Sequence, residues 1–143
     1  MKNTLPKTFS KAAITLDNKT IEGIDEPTIF HYFETLNAGS FEQTSQLFAL
    51  EGMLQPPFEA MIIGSEAIAA YLHQEAKGFV LLPQQGHKVL DSDDAEFLVA
   101  GRVQTPWFTV NVSWTFILNS NQQIMLAKVN LLASLQELMH MRH

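Results

Sequence analysis

The 143-residue chain contains no cysteine. This excludes a disulfide framework, cysteine catalysis and thiolate metal sites, and it agrees with a reducing, cytoplasmic setting. Basic residues are scarce, 9 Lys and Arg against 15 Asp and Glu, for a formal net charge of −6. A surface built to neutralise phosphates needs a basic stripe, so no nucleic-acid partner is expected. Long apolar runs are missing as well, and nothing approaches the roughly 20 residues of a membrane-spanning helix. Repeats, low-complexity tracts and linkers are also lacking. Lys2, Lys7 and Lys11 precede any acid, the first being Asp17, and no continuous apolar stretch accompanies them. A secretory signal is therefore not expected. Residues 1–19 read as a flexible basic N-terminal arm, solvated or making transient contact with an anionic membrane or a partner. Residues 20–143 read as a single domain, since a chain this long buries roughly 68–70% of its unfolded surface and needs no staple.

What is present divides into two halves of different period. Asp25-Glu26-Pro27 is a helix-start signal, and Ile29, Phe30, Phe33 and Leu36 follow at helical spacing until Gly39 stops them. Ser40 and Gln43 form a capping-box pattern for a second helix, with Leu47 and Phe48 inward and Gly52 at its end. The prolines in Met53–Phe58 suggest an edge or extended segment. Ala60 to Ile63 reads as a short strand, and Ser65 as the cap of a third helix through Ile68, Tyr71 and Leu72.

From Phe79 the period becomes two. Phe79 to Leu90 reads as a strand broken near Pro83 and Gly86. Phe97, Val99, Gly101 and Val103 form one inward row, and Phe108, Val110, Val112, Trp114, Phe116 and Leu118 form the next. After a turn at Asn119-Ser120-Asn121, Met125, Ala127, Val129 and Leu131 form a third, and a short helix from Ser134 closes the chain. Helices first and a long antiparallel meander second is an α+β pattern: a curved sheet wrapped around N-terminal helices, with a conical cavity between them.

Two features stand apart from core and surface. Tyr32 lies inside the first helix and shares a face with Leu36. Gln104-Thr105-Pro106-Trp107-Phe108 sets a proline and two aromatics within a strand pair, where the proline forces a kink or bulge and re-aims Trp107. Buried Tyr and Trp each bring an apolar body and one polar hydrogen in need of a partner. If Tyr32 and Trp107 enter one cavity, they offer two donors to one acceptor, such as a carbonyl at the end of an apolar ligand. The alternative is two ordinary core aromatics bonded to backbone.

The residues around these positions carry a resemblance. Ile21–Thr28, Tyr32-Phe33, Thr35–Ala38, Leu54–Phe58, Val103–Phe108, Leu131–Ser134 and Gln136–Leu138 resemble, in that order, the C-terminal domain of orange carotenoid protein. The resemblance implies a nuclear transport factor 2-like cone. It also implies kinship with the free-standing homologues of that domain, which are cyanobacterial carotenoid carriers active in photoprotection. Tyr32 and Trp107 would then hydrogen-bond the keto oxygen of a ketocarotenoid of the echinenone or canthaxanthin type. Leu36, Phe79, Leu81, Val99, Val129 and Leu131 would line the tunnel, and the helix from Ser134 would cover its mouth. Two positions depart from the family pattern: the segment between Trp107 and Trp114 is shorter, and Asn130 stands where an aspartate is usual.

A carotenoid long enough to span a bilayer is on the order of 30 Å, whereas a cavity entering a domain of this size is ~15–20 Å deep. One protomer buries about half, so a homodimer sharing one carotenoid is expected, or transfer to and from helical carotenoid-binding partners. Quenching of singlet oxygen is a property the resemblance brings with it. An isomerase or cyclase of the same fold is the main rival, but it needs a base beside its donor. Glu34 and His31 diverge from the face of Tyr32, and Asp91, Asp93 and Asp94 are turn residues. No catalysis is therefore expected. His140 and His143 make an incomplete ligand set, so no metal is expected.

Overall fold

The computed structural model describes residues 20–132, and the expected basic arm and terminal helix lie outside them. Pro27–Asn37 forms helix α1. Its start obeys the local signal: Glu26 is the cap residue, its carboxylate accepts from the Thr28 N–H, and Pro27 occupies the first turn, where its missing N–H costs nothing. Its end obeys Gly39, which takes φ +75°, a conformation that side-chain-bearing residues rarely adopt.

The second helix is shorter than its sequence pattern suggests. Helix α2 covers only Phe41–Ser45, and Ser40 makes no side-chain cap hydrogen bond. Leu47 and Phe48 therefore do not share a helix face. Phe48–Gln55 is strand β1, running straight through Gly52, and it stops just before Pro56. Gly52 is there for proximity rather than termination: a β-carbon at this position would collide with the backbone of Ile124 on the adjacent strand. Ile62–Ile63 forms β2, and Ser65–Glu75 forms α3, with Gly64 rather than Ser65 as its cap residue.

The meander is as the alternation predicts: β3 (Val80–Leu90), β4 (Ala95–Gln104), β5 (Thr109–Leu118) and β6 (Ile124–Leu132). The six strands form one sheet in the order β2-β1-β6-β5-β4-β3. Neighbours are antiparallel except β1 and β6, which run parallel. The register of β3 on β4 slips between Pro83 and Gln85, at the break marked by Pro83, and such bulges bend a sheet.

The inward rows of β4 and β5 bury Phe97, Val99, Val112, Trp114, Phe116 and Leu118. Helix α1 lies across them. Tyr32 meets Phe116 edge-on with ring centroids 5.0 Å apart, and Phe33 meets Trp114 in the same way at 4.7 Å. Such pairs contribute about 0.5–1.5 kcal/mol each beyond their burial. Three polar ties then fix the helix along its length. Thr28 Oγ1 donates to the Gln122 carbonyl at 2.8 Å, the Thr35 and Thr44 hydroxyls meet at 2.7 Å, and the Asn37 amide bonds the backbone of Leu81 on β3. Tyr32 is thus carried by a helix tied down in its first turn and twice in its last.

Candidate functional site

Between α1, α3, the loop after β1 and the inner face of β4–β6 lies a cavity of about 320 Å³. That is at the small end for ligand pockets. Its wall is mostly aliphatic, aromatic and proline. Leu36, Phe79, Leu81, Val129 and Leu131, five of the residues that the resemblance names for a tunnel, line this cavity, and so do Leu54, Pro56 and Pro57. Val99 does not. It is fully buried, paired in register with Trp114 and further along the inward row than Val103, which does line the cavity. The row of β4 continues beyond the cavity into solid core, and alternation cannot tell which of its members face the space.

Tyr32 lines the cavity at 2% exposure. Its phenol is pushed well above the ordinary tyrosine value by burial, with a smaller contribution from Tyr71, so it is a neutral donor throughout the ordinary pH range. Trp107 is not beside it. β4 and β5 close in a tight hairpin across Thr105–Phe108, in which the Thr105 N–H donates to the Phe108 carbonyl at 2.8 Å. The Thr105 hydroxyl oxygen also accepts from the N–H groups of Trp107 and Phe108 at 3.1 and 3.0 Å. Pro106 sits in a turn, where it needs no ladder partner, and not in a bulge within a strand. The turn throws Trp107 outward at 80% exposure, off the cavity wall.

The tryptophan that shares the cavity with Tyr32 is Trp114, which lines it at 1% exposure. Among the described residues, neither the Tyr32 hydroxyl nor the Trp114 Nε1–H makes a hydrogen bond. A buried donor that stays without a partner costs roughly 1–3 kcal/mol, so an acceptor in the cavity would be favoured by both. The signal for Trp114 was present in the sequence: it stands in the inward row of β5, whereas Trp107 precedes that strand.

Sequence reasoning missed the polar part of the wall. Tyr71, Glu59 and Glu75 also line the cavity, and the Tyr71 hydroxyl donates to Glu59 Oε2 at 3.3 Å. Burial first, and the Glu59 carboxylate second, push the Tyr71 phenol well above its ordinary value. Glu59 comes from an irregular loop, so no periodicity could have aimed it. No group of three or more His, Cys, Asp or Glu is arranged to hold a metal among the described residues. Nor is any described helix long and apolar enough to cross a membrane.

No protein-family model matches the chain. Two curated relatives do, the orange carotenoid-binding proteins of Synechocystis sp. and Limnospira maxima, each 36% identical over 126 residues. That alignment takes in 85% of this chain but 40% of each relative, so the chain spans about two fifths of the length of the curated relatives it matches. Among solved structures, the Anabaena (Nostoc) orange carotenoid protein binding canthaxanthin superposes with a TM-score of 0.79 at 38% identity, over 86% of this chain and 41% of that one. In these relatives the matching portion is the C-terminal region. The epoxide hydrolase/cyclase-like enzyme SalBIII superposes at 0.62 with 18% identity over 76% of this chain and 90% of that one, a likeness of fold alone. The fold is nuclear transport factor 2-like.

Proposed function

We propose that this chain, a homologue of the C-terminal region of orange carotenoid-binding proteins, binds the keto-bearing end of a carotenoid in its cavity and hands it on without chemical change. The observation that carries the reading is the pair of buried donors, Tyr32 and Trp114, on the wall of a largely apolar cavity. A keto oxygen has two lone pairs and would accept from both. Each hydrogen bond would contribute about 0.5–1.5 kcal/mol, while burial of ring and polyene at ~25 cal/mol per Å² would supply most of the affinity. Withdrawal of electron density through the oxygen would shift the pigment's absorption to the red. In this reading Trp114 takes the role that sequence similarity suggested for Trp107.

A cavity of about 320 Å³ holds one end of a ligand on the order of 30 Å long. The other end needs cover, and a second copy of the chain or a helical carotenoid-binding partner would supply it. The mouth favours such an encounter: Phe108 and Leu131 line it while remaining substantially exposed, and Trp107 and Phe58 are largely solvent-facing nearby in sequence. The same aromatics would serve a transient membrane contact during loading. A cytoplasmic carrier of this kind would also place a pigment able to quench singlet oxygen. Binding is favoured over catalysis because Glu59 and Glu75, the carboxylates on the cavity wall, are exposed rather than held in the dry environment a general base requires.

The test is a visible absorption spectrum of the apoprotein after incubation with a ketocarotenoid. A red-shifted band that co-elutes with protein supports the reading, and absence of any band from folded protein removes it.

A further inference from the structure

The cavity has a second polar pole. Tyr71 on α3 and Glu59 in the loop after β1 both line it and are joined by the 3.3 Å hydrogen bond. Glu75, one helical turn beyond Tyr71, lines it too. The buried side of the wall therefore presents donors, Tyr32 and Trp114, and the outer side presents a carboxylate acceptor braced by a phenol. A contact of 3.3 Å is long for O–H···O, so Glu59 retains acceptor capacity for a better-placed donor. Both poles line one and the same cavity.

A purely hydrocarbon ligand would leave the exposed Glu59 carboxylate to water and gain nothing from it. A hydroxyl on the ligand would donate to Glu59 in place of that water, and hydrogen bonds to a charged acceptor are the stronger kind. Tyr32 and Trp114, almost fully buried and without a hydrogen-bond partner for their polar hydrogens among the described residues, set where the carbonyl goes. Tyr71 and Glu59 line that same cavity, so a hydroxyl on the same ring would share the space with them.

We infer that Tyr71 and Glu59 form a hydroxyl-reading subsite, which selects a terminal ring bearing a hydroxyl beside its carbonyl over the same ring without it. This rests on the carbonyl-binding reading of Tyr32 and Trp114. A site built to hydrogen-bond a ligand hydroxyl rejects the analogue that lacks it more strongly than an apolar pocket discriminates a methylene.

The experiment titrates the full-length apoprotein with two carotenoids, one whose ring carries only the keto group and one with an added hydroxyl on the adjacent ring carbon. The ratio of their dissociation constants is the readout. It is expected to favour the hydroxylated ligand by on the order of tenfold in the unmodified protein. It should collapse to about one in both Tyr71→Phe and Glu59→Leu. Equal affinities in the unmodified protein, or a preference that survives in both variants, would overturn the subsite and leave the carbonyl reading standing. Failure of the folded protein to bind either ligand would overturn the carbonyl reading and the subsite with it.

Discussion

Asn37 and Leu81 are joined by two hydrogen bonds of opposite sense: Asn37 Nδ2 donates to the Leu81 carbonyl at 2.9 Å, and the Leu81 N–H donates to Asn37 Oδ1 at 2.7 Å. The side-chain amide behaves as one residue of a strand partner on the outer edge of β3, the last strand of the sheet. It locks the end of α1 to the start of β3, and Leu36 and Leu81, beside that lock, are both cavity wall. Asn37→Ala leaves a donor and an acceptor of Leu81 without their partner, which costs about 1–3 kcal/mol. Thermal or denaturant unfolding should show that loss. Asn37→Asp, which keeps the acceptor and loses the donor, should fall between the two.

Tyr32→Phe and Trp114→Phe should each weaken the red shift of a bound ketocarotenoid, and Trp107→Phe should leave it nearly unchanged. Absorption spectra of the three variants, normalised to bound pigment, decide the matter. If Trp107→Phe abolishes the shift while Trp114→Phe preserves it, the assignment made from the cavity wall is wrong.

Tyr32 and Tyr71 are the chain's two tyrosines, and both phenols are held above the ordinary value of about 10, chiefly by burial. Above pH ~10 the unfolded chain releases phenolic protons that the folded chain retains. The folded state therefore binds more protons there, and its stability falls as pH rises. Below pH ~10 both states are protonated and the contribution is fully present. Alkaline titration should show almost no phenolate absorption until the protein unfolds, with phenolate and unfolding signals rising together. A normal titration near pH 10 in folded protein would contradict the burial of Tyr32.

Gly23 has φ +89°, and a β-carbon there would overlap the Gly86 carbonyl on β3. This close approach lets residues 22–24 run along β3, with the Gly86 N–H donating to the Glu22 carbonyl at 2.8 Å. Gly23→Ala meets both strain and collision, so it should destabilise by more than ~1 kcal/mol. Gly39→Ala has the same sign of φ, at +75°, with no neighbour within reach of the added carbon, and should cost less. Comparing their unfolding midpoints separates collision from backbone strain.

A shared ligand sets a stoichiometry. Light scattering with pigment quantitation should find one carotenoid per two protomers in the loaded protein when no other partner is present. One pigment per monomer would mean that a single copy covers the whole molecule, contrary to the size of the cavity.

The alternating rows of β4 and β5, the start and stop of α1, and the helices-then-meander order were legible in the sequence, because each depends on neighbours a few residues apart. The extent of α2 was not. Phe41–Ser45 and Phe48–Gln55 share an apolar pattern that suits a helix, yet parallel pairing of β1 with β6, more than seventy residues away, claims Phe48 for the sheet. Tyr32 was recognisable as an inward aromatic with a polar tip. Its companion was decided by the tertiary structure, because an aromatic beside a proline reads alike whether the chain bulges within a strand or turns between two. Hydrogen bonding by Thr105 makes it a turn, which sends Trp107 into solvent and leaves Trp114 on the wall. Glu59 was out of reach for the same reason: its loop has no period, and only the packing of α3 against β1 and β2 brings it to Tyr71. Local pattern determined the elements and which face of each is apolar. Which apolar residues meet empty space, and which polar ones are left without a partner there, depends on contacts between distant segments that no local pattern contains.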